Sequence, residues 1–365
     1  MKILFILKTY HDSDKFFEDK LSNFKNKNYK QINKIFCDFY CNWISDFYDK
    51  LSKDYEVEII FVNTLELIKS LNDKITKKNY FDYLNFIFKR FNPDILFSNT
   101  DEQKILLNLN LKNSYNILWK SSKIEKKEKF QIFNFFHHII SDNEKILKQA
   151  NDNNLKKNFL LASIPEKLLM NKNFSTRDNK LLFSGSIGYG HGERRSLLTN
   201  LKKKKIELEI RSRDIKNRNK YFDKILNIFP FLRSRSALQI ISKKPLFGRD
   251  LFNYMSNFKY ILNNHADYDI NFAVNYRVFE SLSLGCLLFT DLNKKVSEYF
   301  KDEEHLVTYS SIEDLHEKIN FFKKNEKKAI EISKNGYKLI QNKHTTIIRL
   351  KEFKKILNIN LNEKI

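Results

Sequence analysis

The sequence predicts an α/β protein built on two mostly parallel sheets, and three observations predict it. Apolar runs without alternation recur along the chain, of the kind that fill a parallel sheet buried on both faces. Helical stretches separate these runs, which is the rhythm of βαβ units joined by right-handed crossovers. The rhythm occurs twice in 365 residues, a length that suits two domains of roughly 150 to 190 residues better than a single core.

The first strand is KILFILKT, Lys2 to Thr9, at the very start of the chain. A helical region from Ser13 to Lys53 carries the stripe Ile35, Phe39, Ile44 and Phe47 and leads to a strand at EVEIIFVNT. A helix near Leu65 to Arg90 follows, then the strands PDILFSN, YNILWKS and HHIISDN, a short helix, and FLLASIPE, Phe159 to Glu166, as the closing strand. The polar stretch NKNFSTRDNK, Asn171 to Lys180, is expected to link the domains. After it come the strand LLFSGS, a helix from Glu193 to Lys203, the strands IELEIRS and YILNNHA, a helix through Arg277 and Glu280, the strand CLLFTD, a weak strand LVTYS and closing helices. The expected domains are 1–170 and 171–345, with a ligand in a cleft between two Rossmann-like halves, because open α/β sheets bind ligands beyond the carboxyl ends of their strands.

A hydrophobic fraction of 42% with 14% aromatic residues excludes a disordered chain. The net charge of +22 raises nucleic-acid binding as a function. No zinc-finger spacing, RNP-like aromatic strand or heptad basic region accompanies it, and Lys, Asn, Ile and Phe are over-used along the whole chain. The charge therefore describes a generic basic surface suited to anionic sugars, nucleotides or a membrane, with no specific nucleic-acid partner expected. Three cysteines, Cys37, Cys41 and Cys286, cannot build a disulfide framework or a four-ligand metal site, so a reducing cytoplasm is expected. The opening MKILFILKTY has too short an apolar run for a signal peptide, and no segment has 18 uninterrupted apolar residues.

Four of the seven glycines fall within GSIGYGHG, Gly185 to Gly192, between a strand and a helix that opens with Glu193, Arg194 and Arg195. Such a turn lets backbone N–H groups approach a phosphate at a helix N-terminus. The spacing is neither the GxGxxG dinucleotide fingerprint nor a Walker loop, and a surface turn is the plainer alternative. In NYRVFESLSLGCLLFTD, Arg277 and Glu280 share one helical face while Val278, Phe279 and Leu282 turn to the core. Gly285 fits the left-handed residue that stops this helix. On an exposed face the Arg277–Glu280 pair is worth only a few tenths of a kcal/mol; aimed at a ligand, Arg277 neutralises phosphate and Glu280 accepts from hydroxyls.

Upstream of that helix, LNNHADYDINFAVNYRVFESLSLGCLLFTD, Leu262 to Asp291, strings polar residues between two apolar elements. This stretch resembles the donor-nucleotide half of GT-B glycosyltransferases, and more closely their CgeB-like subgroup: L-N-x-H, a loop, N-x-R-x-x-E, a glycine, and an apolar strand ending in T-D. FSGSIGYGHGERRSLL, with His191 and Arg194, and NKHTTIIRLKEF, Asn342 to Phe353, extend the resemblance over about residues 180–357.

The resemblance implies a GT-B fold, with a C-terminal helix, 346–365, packing back toward the first domain. It also implies transfer of a sugar from a nucleotide diphosphate to a glycan, lipid-linked or protein acceptor, in surface polysaccharide or lipopolysaccharide synthesis. No cofactor is implied beyond the nucleotide-sugar substrate, and no metal. Glu280 would hold the ribose, Arg277 and Arg194 the diphosphate, and Gly185, His191, Asn263, His265 and Asn275 would line the donor pocket. Retaining GT-B enzymes often carry a second glutamate eight residues earlier, where this chain has Phe272. That departure leaves retaining and inverting outcomes open, turns attention to Asp267 and Asp269 for the sugar hydroxyls, and permits a non-catalytic nucleotide- or glycan-binding module as the alternative. Base candidates for an inverting path are His11 and Asp101, each following an early strand. The expected location is the cytoplasm, with peripheral contact at the inner face of the membrane through the basic surface.

Overall fold

The computed structural model describes residues 1–8, 31, 34–35, 37–38, 43–62, 76, 78–100, 103–107, 109, 111–121, 132–150, 155–187, 191–212, 242–265 and 271–362. The chain divides into two compact units, Met1–Ala162 with Thr346–Ile365, and Ser163–Thr345.

In the first unit the strands are β1 (Lys2–Leu7), β2 (Glu56–Phe61), β3 (Ile95–Ser98), β4 (Tyr115–Trp119), β5 (His138–Ser141) and β6 (Lys156–Phe159). They pair in parallel in the order β2-β1-β3-β4-β5-β6. Ile3 to Leu7 are all buried, as an inner strand with both faces covered requires. Helices α1 (Trp43–Leu51), α2 (Tyr80–Phe91), α3 (Gln103–Leu107) and α4 (Glu144–Gln149) lie between the strands. The last strand falls earlier than FLLASIPE predicts. Leu160, Leu161, Ala162 and Ile164 are buried, but they run on past the edge pairing of β6 with β5. Ile164 belongs to the second unit, where it bridges to Thr345 and donates its N–H to the His344 carbonyl at 2.9 Å. The C-terminal helix of the chain, Thr346–Asn362, belongs to the first unit, where Phe353 packs its ring against Phe47 (5.1 Å between centroids) and Phe97 (5.4 Å).

His138 is the most deeply buried imidazole of this sheet. Its ring lies 2.8 Å, Nε2 to Oδ1, from Asn158 on the neighbouring strand. Burial pulls its pKa down to about 4, against the partial support of the Asn158 bond. The unfolded chain takes up this proton near the ordinary value of about 6.5, so the folded state binds fewer protons between those limits. Stability from this group is complete above about pH 6.5 and drains away as pH falls toward 4, by about 3 kcal/mol in all. Thermal melting of the wild type between pH 7 and 4 is expected to show this slope, and His138→Gln to flatten it; an equal slope in both proteins contradicts it.

The second unit holds β7 (Asp178–Ser184), β8 (Leu208–Arg211), β9 (Ser242–Lys243), β10 (Phe258–Leu262), β11 (Leu287–Asp291) and β12 (Val307–Tyr309), all parallel, in the order β12-β11-β10-β7-β8-β9. Numbered from β7, that is 3-2-1-4-5-6, the Rossmann order, with its switch point between β7 and β10. Its helices are α5 (Gly192–Lys203), α6 (Gly248–Met255), α7 (Tyr276–Ser283), α8 (Lys294–Ser297), α9 (Ile312–Lys324) and α10 (Glu326–Lys343); the C-terminal helix Thr346–Asn362 is α11. The unit begins at Ser163 rather than 171, because the polar stretch expected to be a linker is packed into it. The Met170 N–H donates to the Ser283 carbonyl at 3.1 Å, and Arg177 is buried within the unit.

Candidate donor site

The α7 helix leaves the loop that follows β10, so its N-terminus lies at the carboxyl edge of the second sheet, where such folds bind ligands. Asn275 caps it, its Oδ1 accepting the Arg277 N–H at 3.0 Å. Val278, Phe279 and Leu282 are fully buried, as the helical period predicts. Arg277 and Glu280 meet at 2.6 Å, Nη1 to Oε2, and they do so inside the protein: the two side chains are 15% and 9% exposed. The same guanidinium nitrogen lies 3.0 Å from the Met255 sulfur. Burial pushes the Glu280 pKa up, and the Arg277 charge pulls it only part of the way back. This is therefore not the weak surface pair that spacing alone allows, but a carboxylate and a guanidinium held out of bulk water.

The far end of α7 is equally determined. Gly285 has φ +61°, its N–H reaches the Leu282 carbonyl at 3.0 Å, and the Cys286 N–H reaches Ser281 at 3.3 Å; these are the two bonds of a Schellman stop. Arg177 seals it, donating from Nη1 to the Gly285 carbonyl at 3.0 Å and from Nη2 to the Lys172 carbonyl at 2.6 Å. Cys286 behind it is buried, and burial pushes its thiol pKa up to about 11, which suits a core residue and not a nucleophile.

At the switch point Arg194, only 6% exposed, spans the two strand ends. Its Nη1 donates to the Ser186 carbonyl after β7 at 2.8 Å, and its Nη2 donates to the Asn264 carbonyl after β10. The guanidinium also sits over the Phe183 ring, 5.6 Å from its centroid. Gly185 lies beside it, where an added Cβ would be 3.1 Å from the Phe183 ring and 3.8 Å from an Arg194 nitrogen. His191 is the residue before the first turn of α5.

His265, 1% exposed, ties three elements together. Its backbone N–H and its Nδ1 both meet Asp291 Oδ1, at 2.9 and 2.8 Å, and its Nε2 accepts the Asn275 N–H at 3.2 Å. A backbone N–H can only donate, so in this arrangement Nε2 faces it with its lone pair and Nδ1–H is turned to Asp291. Burial pushes the Asp291 pKa up, but the hydrogen bonds from His265 outweigh it and hold the carboxyl below its usual range. Asn263 donates from Nδ2 to Thr290 Oγ1 at 2.9 Å, and its carbonyl accepts the Tyr309 hydroxyl at 2.9 Å.

Among the described residues, Asn264 Oδ1, Asn293 Nδ2 and Arg277 Nε are buried polar atoms at this edge with no hydrogen-bond partner. Of the sequence-predicted residues, the structure brings His265 to Asn275 and Arg277 to Glu280, and sets Gly185 beside Arg194. His11, Asp101, Gly188, Gly190, Asp267 and Asp269 lie outside the described residues, while Phe272 is partly buried. Among the described residues no three His, Cys, Asp or Glu side chains converge as metal ligands would. Nor is any described helix long and apolar enough to cross a membrane.

Residues 194–355 match a family model described as glycosyl transferase-like, a span that contains His265, Asn275, Arg277 and Glu280. Among solved structures, the chain is similar to HepE of Anabaena in complex with UDP and glucose, with a TM-score of 0.61 at 10% identity over 98% of this chain and 99% of that one. Sucrose-phosphate synthase from Thermosynechococcus elongatus gives 0.62 at 8% identity over 99% of both chains. A glycosyltransferase from Rickettsia africae gives 0.59 at 12% identity over 97% of both. The fold is GT-B. A sequence search of curated proteins finds no match.

Three residues that organise the carboxyl edge of this second sheet are not singled out by the sequence. Asp291 enters the sequence only as the last letter of the T-D that closes an apolar strand and the resembling stretch, Arg177 lies in a stretch whose polarity reads as a linker, and Tyr309 is one more aromatic in a weak strand. A charged residue at the carboxyl end of a buried parallel strand is the physical signal that points to Asp291.

Proposed function

We propose that this protein transfers a sugar from a nucleotide-diphosphate donor to a glycan, lipid-linked or protein acceptor. The observation that carries the reading is the buried Arg277–Glu280 pair on the first turns of α7, at the carboxyl edge of a Rossmann-ordered sheet and inside the glycosyl transferase-like span. Glu280 accepts from the ribose hydroxyls, and the positive charge of Arg277 and Arg194, with the N-terminal dipole of α7, stabilises the diphosphate as it leaves. Asn263, His265 and Asn275 shape the pocket wall, and Gly185 and His191 stand on the side of the phosphates. In this reading those guanidinium groups and amides, rather than a metal, carry the charge of the leaving group. The reading is further supported by HepE, which is similar in fold and whose structure holds UDP and glucose.

The net charge of +22 favours an anionic acceptor or membrane surface, which fits a cytoplasmic enzyme working peripherally at the membrane in surface polysaccharide or lipopolysaccharide synthesis. The test is to incubate the pure protein with UDP-, GDP-, ADP- and CMP-sugars and measure nucleotide release. Release from one nucleotide class is expected. Binding without any release, with acceptor lipids and glycans supplied, makes it a non-catalytic nucleotide-binding module instead, and no binding at all overturns the site.

A further inference from the structure

We propose that Asp291 is a positioning residue for the donor site, acting through His265 to hold the start of α7 in place. The inference rests on the reading of that site given above. Asp291 ends β11, and one of its oxygens, Oδ1, is the shared acceptor for the His265 N–H at 2.9 Å, the His265 Nδ1–H at 2.8 Å and the Thr290 hydroxyl at 3.3 Å. The Thr290 hydroxyl is free to donate because its own oxygen accepts from Asn263 Nδ2 at 2.9 Å. Every proton in the chain Asn263, Thr290, Asp291 thus runs toward Oδ1 of Asp291, which only accepts.

That direction decides the tautomer of His265. With Nδ1–H committed to Asp291, Nε2 is left as a lone pair aimed at the Asn275 N–H, 3.2 Å away. Asn275 is the N-cap of α7, two residues before Arg277 and five before Glu280. A backbone N–H at a helix start has no partner within the helix, so a buried imidazole is well placed to accept it. The imidazole is a strut with a donor end on β11 and an acceptor end on α7. The opposite tautomer would set two N–H groups against each other and release the helix start.

Such a strut predicts a pattern that neither a catalytic base nor a generic core residue produces. Asp291→Asn keeps an oxygen for both His265 donors, so it should bind UDP or GDP, whichever the wild type binds, within a few-fold of wild type. Asp291→Ala removes the acceptor, frees the imidazole to rotate, and should weaken that binding by about 10-fold to 100-fold. Titration calorimetry on the full-length variants, with folding checked by circular dichroism, measures both. Nitrogen NMR of histidine-labelled protein, with the His265 signals assigned through His265→Gln, should show Nδ1 protonated and Nε2 bare at neutral pH.

Nε2 protonated in the wild type overturns the strut whatever the protein does. Equal losses in Asp291→Asn and Asp291→Ala overturn it in favour of a role for the negative charge itself, and full binding by a folded Asp291→Ala overturns it outright. A wild type with the expected tautomer that binds no nucleotide overturns the reading of the donor site, and with it the purpose assigned to the strut.

Discussion

Glu280→Gln is expected to lower kcat/KM for the nucleotide-sugar donor by roughly 100-fold or more while the protein stays folded. Glutamine keeps the volume and one acceptor oxygen but loses the charge. Charge-assisted hydrogen bonds are worth about 1.5–3 kcal/mol each, and a carboxylate gripping two ribose hydroxyls makes two of them. The buried position raises the stakes, because a neutral amide beside Arg277 leaves that guanidinium without its counter-charge 2.6 Å away.

The wild type should also show an acid limb. Burial pushes the Glu280 pKa above the ordinary carboxylate range, so the ionised form that binds donor is lost as pH falls through that raised value, earlier than for an exposed acid. The same limb should be missing from whatever activity Glu280→Gln retains. Steady-state kinetics over pH 4.5 to 8 on both proteins, with melting curves alongside, measure this. Wild-type turnover in a folded Glu280→Gln removes Glu280 from the site.

The sequence exposes local order far better than it exposes distant partnership. Buried strands announce themselves as apolar runs, and the stripe Val278, Phe279 and Leu282 places α7 with its polar pair on the other side. Gly285 is legible for the same reason, since the residue that ends a helix is a local matter. Arg177 is not: its bond to the Gly285 carbonyl spans 108 residues, and nothing in NKNFSTRDNK distinguishes an arginine that enters the core from one in a solvated linker. His265 was legible as a site residue but its two fixed nitrogens were not, because Asp291 lies 26 residues away and comes near only through the pairing of β10 with β11. The 3-2-1-4-5-6 order, which places Arg194 across the switch point, is likewise a property of pairing and not of any one segment.

Gly336→Ala tests the other side of the same helix, and here propensity and packing predict opposite signs. Gly336 sits inside the 18-residue helix α10, where alanine is ordinarily better than glycine by about 1 kcal/mol. A Cβ at this position, however, would lie 2.4 Å from the His305 carbonyl oxygen and 2.8 Å from Leu282 Cδ2. A leucine methyl can turn aside. A backbone carbonyl cannot, so α10 must move away from the turn before β12 and from α7, whose Leu282 is fully buried against it. Overpacking of this kind costs about 1–3 kcal/mol or more, enough to reverse the propensity gain. The expected result is a melting temperature several degrees lower, at about 2–4 °C per kcal/mol for a unit of this size. Leu282 stands two residues beyond Glu280 on α7, so donor affinity should weaken along with stability. Lys334→Ala, on the exposed face of the same helix, should do neither. A Gly336→Ala protein that melts at or above the wild-type temperature would mean that α10 does not pack this closely, and that the rear support of the Arg277–Glu280 pair lies elsewhere.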